Sequence, residues 1–196
     1  MKANLKLIGG KLIKSPKSEN TRPTSLFVRE AIFNILSNKV KESYWLDLFS
    51  GTGSIACEAY NHGAKKILAI EKNRANAYLC KTNLFSLSNA LSRENDIEII
   101  CWDVFSWIKR TKESKNVSKI IELDKDKFDF IYLDPPYLND YNNELLVKLF
   151  KSKLVKKNTT VIFEHSKNFK IPSNNLWEIK DIRSYGQTTI SFLLKV

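Results

Sequence analysis

Short apolar runs alternate with longer amphipathic stretches along most of the chain, a pattern that predicts strands alternating with helices. Five runs predict strands buried on both faces of a parallel sheet: Tyr44–Phe49, Lys66–Ile70, Ile97–Cys101, Phe128–Leu133 and Thr159–Phe163. Near the end, Leu176–Arg183 and Thr189–Leu194 predict an antiparallel pair joined through Tyr185-Gly186-Gln187. We therefore expect a doubly wound α/β fold, with a seven-stranded, mostly parallel sheet and an antiparallel C-terminal strand.

The amphipathic stretches between these runs have helical length. They predict helices after Thr24 or Ser25, after the glycines at 51 and 53, over residues 74–91, from Val104 onwards and over Glu144–Val155. Residues 111–127 are charged and poorly periodic, so we expect a surface insertion there, with room for a short helix at 120–121.

The first 41 residues predict a basic N-terminal extension to the α/β domain, which we expect to span residues 42–196. Leu5–Ile8 and Lys11–Lys14 predict two short strands that pair across Gly9-Gly10. The helix that follows is expected to bury one apolar face, formed by Phe27, Val28, Ala31, Ile32, Ile35 and Leu36.

Positive charge is concentrated in this extension. The 196-residue chain carries a net charge of +11, and residues 1–41 hold nine Lys and Arg against two acidic residues. Such a concentration suggests a polyanionic partner, most simply nucleic acid, and a solvated lysine-rich surface is the alternative. Arg22 and Arg29 flank the first helix, where they could cap it or contact phosphate.

Cysteines, histidines and hydropathy narrow the class of protein further. Three cysteines and two histidines are scattered without the spacing of a disulfide framework or a zinc site, so we expect neither. No stretch has the length of a membrane span, and the N-terminus has no continuous apolar signal core. We expect a cytoplasmic protein.

A glycine turn follows the first predicted strand of the domain. Gly51-Thr52-Gly53-Ser54-Ile55-Ala56 matches the G-x-G-x-x-A spacing, which lets a ligand approach the backbone at a helix N-terminus. Glu71 closes the next strand, eighteen residues after Gly53, where a carboxylate can bind both hydroxyls of a ribose. Together these features indicate a site for a nucleoside cofactor.

Four acidic residues lie at or near the ends of the first four strands of the domain: Asp47, Glu71, Asp103 and Asp134. Hard metals usually take clustered carboxylates, whereas these are spread over separate strands. A cofactor with several polar groups and a positive centre, such as S-adenosylmethionine, fits them better, and Trp102 could pack on its flat ring. We expect no metal.

The fourth strand runs directly into Asp134-Pro135-Pro136-Tyr137. Two prolines cannot continue a central strand, so the chain leaves the sheet at its carboxyl edge, where ligands bind in open α/β sheets. The motif therefore brings a carboxylate, a rigid corner and an aromatic ring to the predicted site. The alternative is a strand terminator with an incidental Asp.

Several segments carry a resemblance to a known family. DLFSGTG, AIEKN and DPPY, in that order, resemble the class I methyltransferases that modify exocyclic amines, which have a Rossmann-like fold. TRPTSLFVREAIFNIL and YGQTTISFLL resemble more narrowly the bacterial small-subunit (16S) ribosomal RNA guanine-N2 methyltransferases of the RsmD type. The resemblance covers nearly the whole chain, and residues 111–127 are longer than it leads us to expect.

The resemblance implies an S-adenosylmethionine site, with S-adenosylhomocysteine as the product. Asp47, Gly51 and Gly53 would line the methionine end, Glu71 would hold the ribose, and Asp103 with the Trp102 backbone would bind the adenine amine. The implied cofactor-binding set is Asp47, Phe49, Gly51, Gly53, Glu71, Lys72, Trp102, Asp103 and Asp134.

The resemblance also implies how a base would be bound. Asp134 and the Pro135 carbonyl would accept hydrogen bonds from the target amine, and Tyr137 would stack on the base. The implied RNA-binding residues are Lys11, Arg22, Thr24 and Arg29. We expect a monomer that acts on ribosomal RNA or a small-subunit assembly particle.

Four alternatives remain open. An adenine-N6 methyltransferase of RNA or DNA would use the same DPPY motif. A non-catalytic ribosome-assembly protein could retain the fold, although its acids would then have no role. A nicotinamide-dependent oxidoreductase would use the glycine turn and Glu71 but would leave Asp47 and DPPY unexplained. A cysteine nucleophile is disfavoured because no cysteine is close to DPPY in the sequence.

Overall fold

A computed structural model describes residues 4–15, 24–89, 96–114, 117–122, 128–136, 139–172 and 176–196. The strands are β1 (Asn4–Lys6), β2 (Leu12–Lys14), β3 (Tyr44–Leu48), β4 (Lys66–Ile70), β5 (Ile97–Ile100), β6 (Phe130–Leu133), β7 (Thr160–Ser166), β8 (Trp177–Tyr185) and β9 (Thr188–Lys195). The helices are α1 (Leu26–Leu36), α2 (Ser54–Asn61), α3 (Arg74–Asn89), α4 (Val104–Glu113) and α5 (Asn139–Phe150), with a 3-10 turn at Ser37–Val40. None of these helices is long and apolar enough to cross a membrane.

Seven strands form the main sheet in the order β5-β4-β3-β6-β7-β9-β8. The pairs among β3 to β7 are parallel, and β9 pairs antiparallel with both β7 and β8. The predicted fold is therefore confirmed. The chain builds outward from β3 to β5 and then returns to place β6 on the other side of β3, so the topological switch point lies between β3 and β6. Ligands bind at such points, outside the carboxyl ends of the strands.

Two apolar clusters cover the two faces of the sheet, because β3, β4 and β6 are buried on both sides. Side chains from α1, α2 and α3 fill one cluster, and side chains from α4 and α5 fill the other. Asp47 is in register with Tyr132, and Tyr132 with Ile162, so these three residues share one face. That face is the one covered by α1 to α3, since Tyr132 and Ile162 belong to their cluster.

The N-terminal hairpin packs on this same cluster through Leu7 and Ile13, which are nearly fully buried. Its position is fixed by polar contacts with two helices. The amide of Ile8 donates to Glu58 of α2 at 2.9 Å, and Asn83 of α3 exchanges hydrogen bonds with the backbone of Lys14.

The buried face of α1 agrees with the predicted one at Val28, Ile32 and Leu36 and differs at other positions. Phe27 is 66% exposed and Ile35 is 38% exposed, whereas Arg29 and Phe33 are buried. Arg29 belongs to the buried face because its guanidinium has polar partners inside the protein, which an apolar pattern does not reveal. Ser25 caps the helix by accepting from the Val28 amide, as one of the two predicted caps.

Some element bounds also differ. Helix α5 begins at Asn139 and ends at Phe150, five residues before the expected end at Val155. Residues 117–122 contain no helix, and Val117 and Ile121 are buried in the cluster under α4. This part of the predicted surface insertion therefore contributes to the core.

Candidate active site

The turn after β3 has a left-handed backbone conformation at three positions, two of which are glycine. Phe49, Gly51 and Gly53 all have positive φ values of 68°, 52° and 82°. A Cβ on Gly53 would lie 2.6 Å from the sulfur of Cys80, so glycine also permits close packing of the turn on α3. A Cβ on Gly51 would meet no atom within 4 Å, which leaves this part of the turn open to a ligand.

Glu71 is tied to this turn. Its Oε2 accepts from the amide of Gly51 at 2.8 Å, and its Oε1 accepts from the amide of Asn73 at 2.7 Å. The side chain is only 9% exposed. Glu71 therefore fixes the turn after β3 to the end of β4, as expected for two neighbouring strands that form one site.

Asp47 is buried under the N-terminus of α2. Its Oδ2 accepts from the amide of Ala56 at 3.1 Å, whereas its Oδ1 has no hydrogen-bond partner among the described residues. Burial, together with the nearby charge of Glu71, raises the pKa of Asp47 well above its ordinary value. A buried carboxylate oxygen without a donor is costly, so it is a natural place for a polar, positively charged ligand group.

The ends of β4 and β5 lie side by side. The amide of Trp102 donates to the carbonyl of Glu71 at 3.1 Å. Asp103 caps α4, and its Oδ1 accepts from the amide and the hydroxyl of Ser106. Trp102 is 41% exposed with Arg110 over its ring, and Lys72 is exposed. Both are therefore accessible to a ligand.

The Asp-Pro-Pro corner follows β6 on the other side of β3. Asp134 is partly exposed and Pro135 is buried, while Tyr137 lies outside the described residues. Burial of the Asp134 carboxyl raises its pKa well above the ordinary value, and the charges of Glu164 and Asp47 raise it further. Asp134 therefore interacts with an acid on each neighbouring strand, which agrees with the predicted convergence of carboxylates.

A second acid, Glu164 of β7, completes this part of the edge. Its Oε2 accepts from the hydroxyl of Tyr132 and, at 3.1 Å, from the hydroxyl of Thr24. All three side chains are buried. No role for Glu164 was predicted from the sequence, although it follows an apolar strand in the same way as the other acids of the edge.

Two of the predicted RNA contacts are wrong. Arg29 is fully buried, and its guanidinium donates to Glu58 and to the backbone carbonyls of Thr24 and Lys6, so it cannot reach phosphate. Thr24 is 6% exposed and its hydroxyl is bonded to Glu164 inside the protein. Lys11 is exposed on the hairpin, and Arg22 lies outside the described residues.

Metal chemistry has no candidate ligand set in the part of the chain that the structure describes. No group of three or more His, Cys, Asp or Glu side chains there could hold an ion. Cys57 and Cys80 are buried, and burial raises the pKa of each thiol, so neither resembles an activated nucleophile.

The strand order, the glycine turn and the acids at the switch point define a Rossmann-like fold of the class I methyltransferase type. The chain belongs to the family described as Conserved hypothetical protein 95, whose profile matches residues 6–194. This match confirms that the family resemblance extends over nearly the whole sequence.

Individual relatives agree with this assignment. The chain is 28% identical over 201 residues to the "Ribosomal RNA small subunit methyltransferase D" of Buchnera aphidicola, covering 98% of this chain and 93% of that protein. The solved structure of yhhF from Escherichia coli superposes with a TM-score of 0.74 at 20% identity, covering 98% of both chains. An RNA methyltransferase from Salinibacter ruber, solved with S-adenosyl-L-homocysteine, gives 0.60 at 19% identity over 89% of this chain and 94% of that one.

Proposed function

We propose that this protein transfers a methyl group from S-adenosylmethionine to the exocyclic N2 amine of a guanine in small-subunit (16S) ribosomal RNA. The observation that carries the proposal is the position of Asp134, which directly follows Leu133 of β6 where that residue pairs with Leu48 of β3, next to the glycine turn. This neighbourhood would bring an amine-binding corner close to a nucleoside cofactor. The Buchnera relative, named as a ribosomal RNA small-subunit methyltransferase, supports the choice of substrate.

The residues of the β3–β4 half of the edge fit the cofactor. When bound, S-adenosylmethionine supplies an electrophilic methyl group on a positively charged sulfur. Asp47 has a buried acceptor oxygen without a donor, which suits the ammonium of the methionine end. Glu71 would receive the ribose hydroxyls beside the open position at Gly51, and Trp102 and Asp103 would bind the adenine.

In the proposed reaction, Asp134 would activate the target amine, which is a poor nucleophile. The lone pair of an exocyclic amine is delocalised into its ring. Two acceptors aimed at its hydrogens, the Asp134 carboxyl and the Pro135 carbonyl, would favour a pyramidal nitrogen with a free lone pair. A carboxyl with a raised pKa is also suited to take the proton that the amine must lose.

RNA binding is assigned to the N-terminal extension and to Tyr137. Lys6, Lys11 and Lys14 are exposed on the hairpin, and Asn83 joins the carbonyl of Lys14 to that of Thr52 in the glycine turn. The backbone of the hairpin at Lys14 is therefore linked to the turn assigned to the cofactor. A base extruded into the pocket would recover about 1–3 kcal/mol by stacking on Tyr137.

The test uses methyl-labelled S-adenosylmethionine with ribosomal RNA and with partly assembled small subunits from cells that lack the enzyme. Digested nucleosides are then identified by mass. Label in N2-methylguanosine is the expected result. Label in N6-methyladenosine would move the substrate to adenine, and no label despite cofactor binding would contradict catalysis.

A further inference from the structure

Glu164 has an unusual distribution of hydrogen bonds for a buried carboxylate. The side chain is 5% exposed, and both of its hydrogen bonds, from Tyr132 and Thr24, end on Oε2. Oε1 accepts no hydrogen bond from any residue in the described parts of the chain. One oxygen is therefore held in place while the other is left for a partner.

The sheet register places Glu164 beside Asp134. Leu133 of β6 pairs with Phe163 of β7 in the parallel ladder, so the next residues, Asp134 and Glu164, follow side by side. Tyr132 and Ile162 share a face, and Asp134 and Glu164 each lie two residues further along. The two carboxyl groups therefore leave the sheet edge on the same side.

The surroundings of Glu164 and Asp134 affect the pKa values of these two acids differently. Burial raises the pKa of Glu164, and the hydrogen bonds from the Tyr132 and Thr24 hydroxyls oppose part of that rise. Burial also raises the pKa of Asp134, and the charge of Glu164 raises it further. Two hydroxyl donors therefore favour the carboxylate form of Glu164, which places an acceptor beside the residue assigned to the target amine.

Guanine matches this pair of acceptors. Its Watson–Crick edge presents N1–H directly beside the N2 amine, so both neighbouring positions are donors. Adenine has an acceptor at N1, which a carboxylate would repel. We propose that Oε1 of Glu164 accepts the N1–H of the target guanine while Asp134 accepts from N2, so that Glu164 selects guanine; this inference rests on the proposed function.

Tyr132 and Thr24 act in this scheme as positioning residues. Their hydroxyls hold Oε2, which directs Oε1 towards the base. Thr24 is itself fixed because its carbonyl accepts from Arg29 at 2.6 Å. The buried contacts at the start of α1 therefore connect the N-terminal extension to base recognition without any contact to RNA.

The test compares guanine with 2-aminopurine at the methylated position of reconstituted small-subunit RNA. 2-Aminopurine keeps the N2 amine but has an acceptor at N1. We expect the wild-type enzyme to prefer guanine by at least about tenfold in kcat/KM, since a good base contact discriminates by about 1–3 kcal/mol. Equal rates on the two bases would overturn the proposal without any variant.

Glu164→Gln sharpens the result, because an amide can donate to N1 of 2-aminopurine. We expect this variant to lose activity on guanine, to gain it on 2-aminopurine and so to reduce the preference to about threefold or less. Tyr132→Phe is the matched control. It removes a donor to Oε2 but keeps the carboxylate, so it should slow both substrates by a similar factor.

The outcomes distinguish a failure of the proposed guanine selection by Glu164 from a failure of the proposed methyltransferase function. If Glu164→Gln slows both bases equally, Glu164 is only structural and the proposed selection is wrong. If the wild-type enzyme labels no guanine at all, the proposed function itself fails. Cofactor binding by Glu164→Gln, measured by calorimetry, verifies that the variant is folded.

Discussion

The two halves of the carboxyl edge hold their acids in different ways. In the β3–β4 half, Asp47 and Glu71 accept hydrogen bonds from backbone amides that are 2 to 20 residues away in the sequence. In the β6–β7 half, Glu164 accepts from the side chains of Tyr132 and Thr24, 32 and 140 residues away. The first half depends on a local turn, and the second depends on the tertiary fold.

This difference has a functional consequence. Backbone amides are present whatever the side chain, so the β3–β4 half depends mainly on the conformation of its turn, which glycine adopts without strain at positions 51 and 53. Side-chain hydroxyls can be replaced one at a time, so the β6–β7 half can be adapted to a different base. We therefore expect changes in the β3–β4 half to act on cofactor affinity, and changes in the β6–β7 half to act on methyl transfer.

The largest expected effect belongs to Asp134→Ala. Removing the acceptor for the target amine should reduce kcat by about 10²–10⁴-fold, the usual contribution of a positioned acid or base. Cofactor affinity, measured by isothermal titration calorimetry, should stay within a few-fold of the wild type, because the cofactor is assigned mainly to the other half.

Asp134→Asn is the control for this prediction. An amide keeps one acceptor oxygen at the same place, so this variant should retain more activity than Asp134→Ala. Full activity of Asp134→Ala would remove Asp134 from the proposed mechanism. A parallel drop in cofactor affinity would show that the two halves do not act separately.

The same contrast explains which features could be predicted from the sequence. The fold and the glycine turn were predictable because buried strands and glycine spacing are local patterns. The prediction that Arg29 contacts phosphate is wrong because a sequence shows its charge but not its three hydrogen-bond partners, one of them Glu58 in another helix. The bond between Thr24 and Glu164 could not be predicted for the same reason, since 140 residues separate them.

The next effect in size concerns the β3–β4 half. Asp47→Asn replaces the buried carboxyl, whose Oδ1 lacks a donor, with an amide that cannot become an anion when the cofactor binds. We expect cofactor affinity to fall by about 10–100-fold, the range for hydrogen bonds to charged groups. The kcat at saturating cofactor should change little, and a large reduction of kcat with normal affinity would contradict the separation of the two halves.

The same variant has a predicted effect on stability. Burial raises the pKa of Asp47, so the folded state favours its protonated form, and this contribution to stability is lost as pH rises through the raised value. Asp47→Asn should therefore melt at a higher temperature than the wild type at pH 8, and the difference should shrink towards pH 5. Glu30→Gln, at an exposed acid on α1, should show no such trend in thermal melts.

The smallest effect on activity is expected from changes in the β1–β2 hairpin, which is joined through Asn83 to the glycine turn but belongs to neither half of the carboxyl edge. Replacing Lys6, Lys11 and Lys14 with Gln should weaken RNA binding and make it less dependent on salt. In a plot of log K against log salt, the slope should decrease in magnitude by about 0.7–0.9 for each phosphate that is no longer neutralised. Base preference and kcat should not change, because these side chains are exposed and outside the pocket.

A matched control replaces three exposed lysines that precede β7 at the opposite edge of the sheet: Lys151, Lys153 and Lys157. The two triple variants remove the same charge, so an equal change in salt slope would mean that RNA senses only net charge. A change confined to the hairpin variant would assign RNA binding to the side of the fold where Lys14 is joined through Asn83 to the glycine turn.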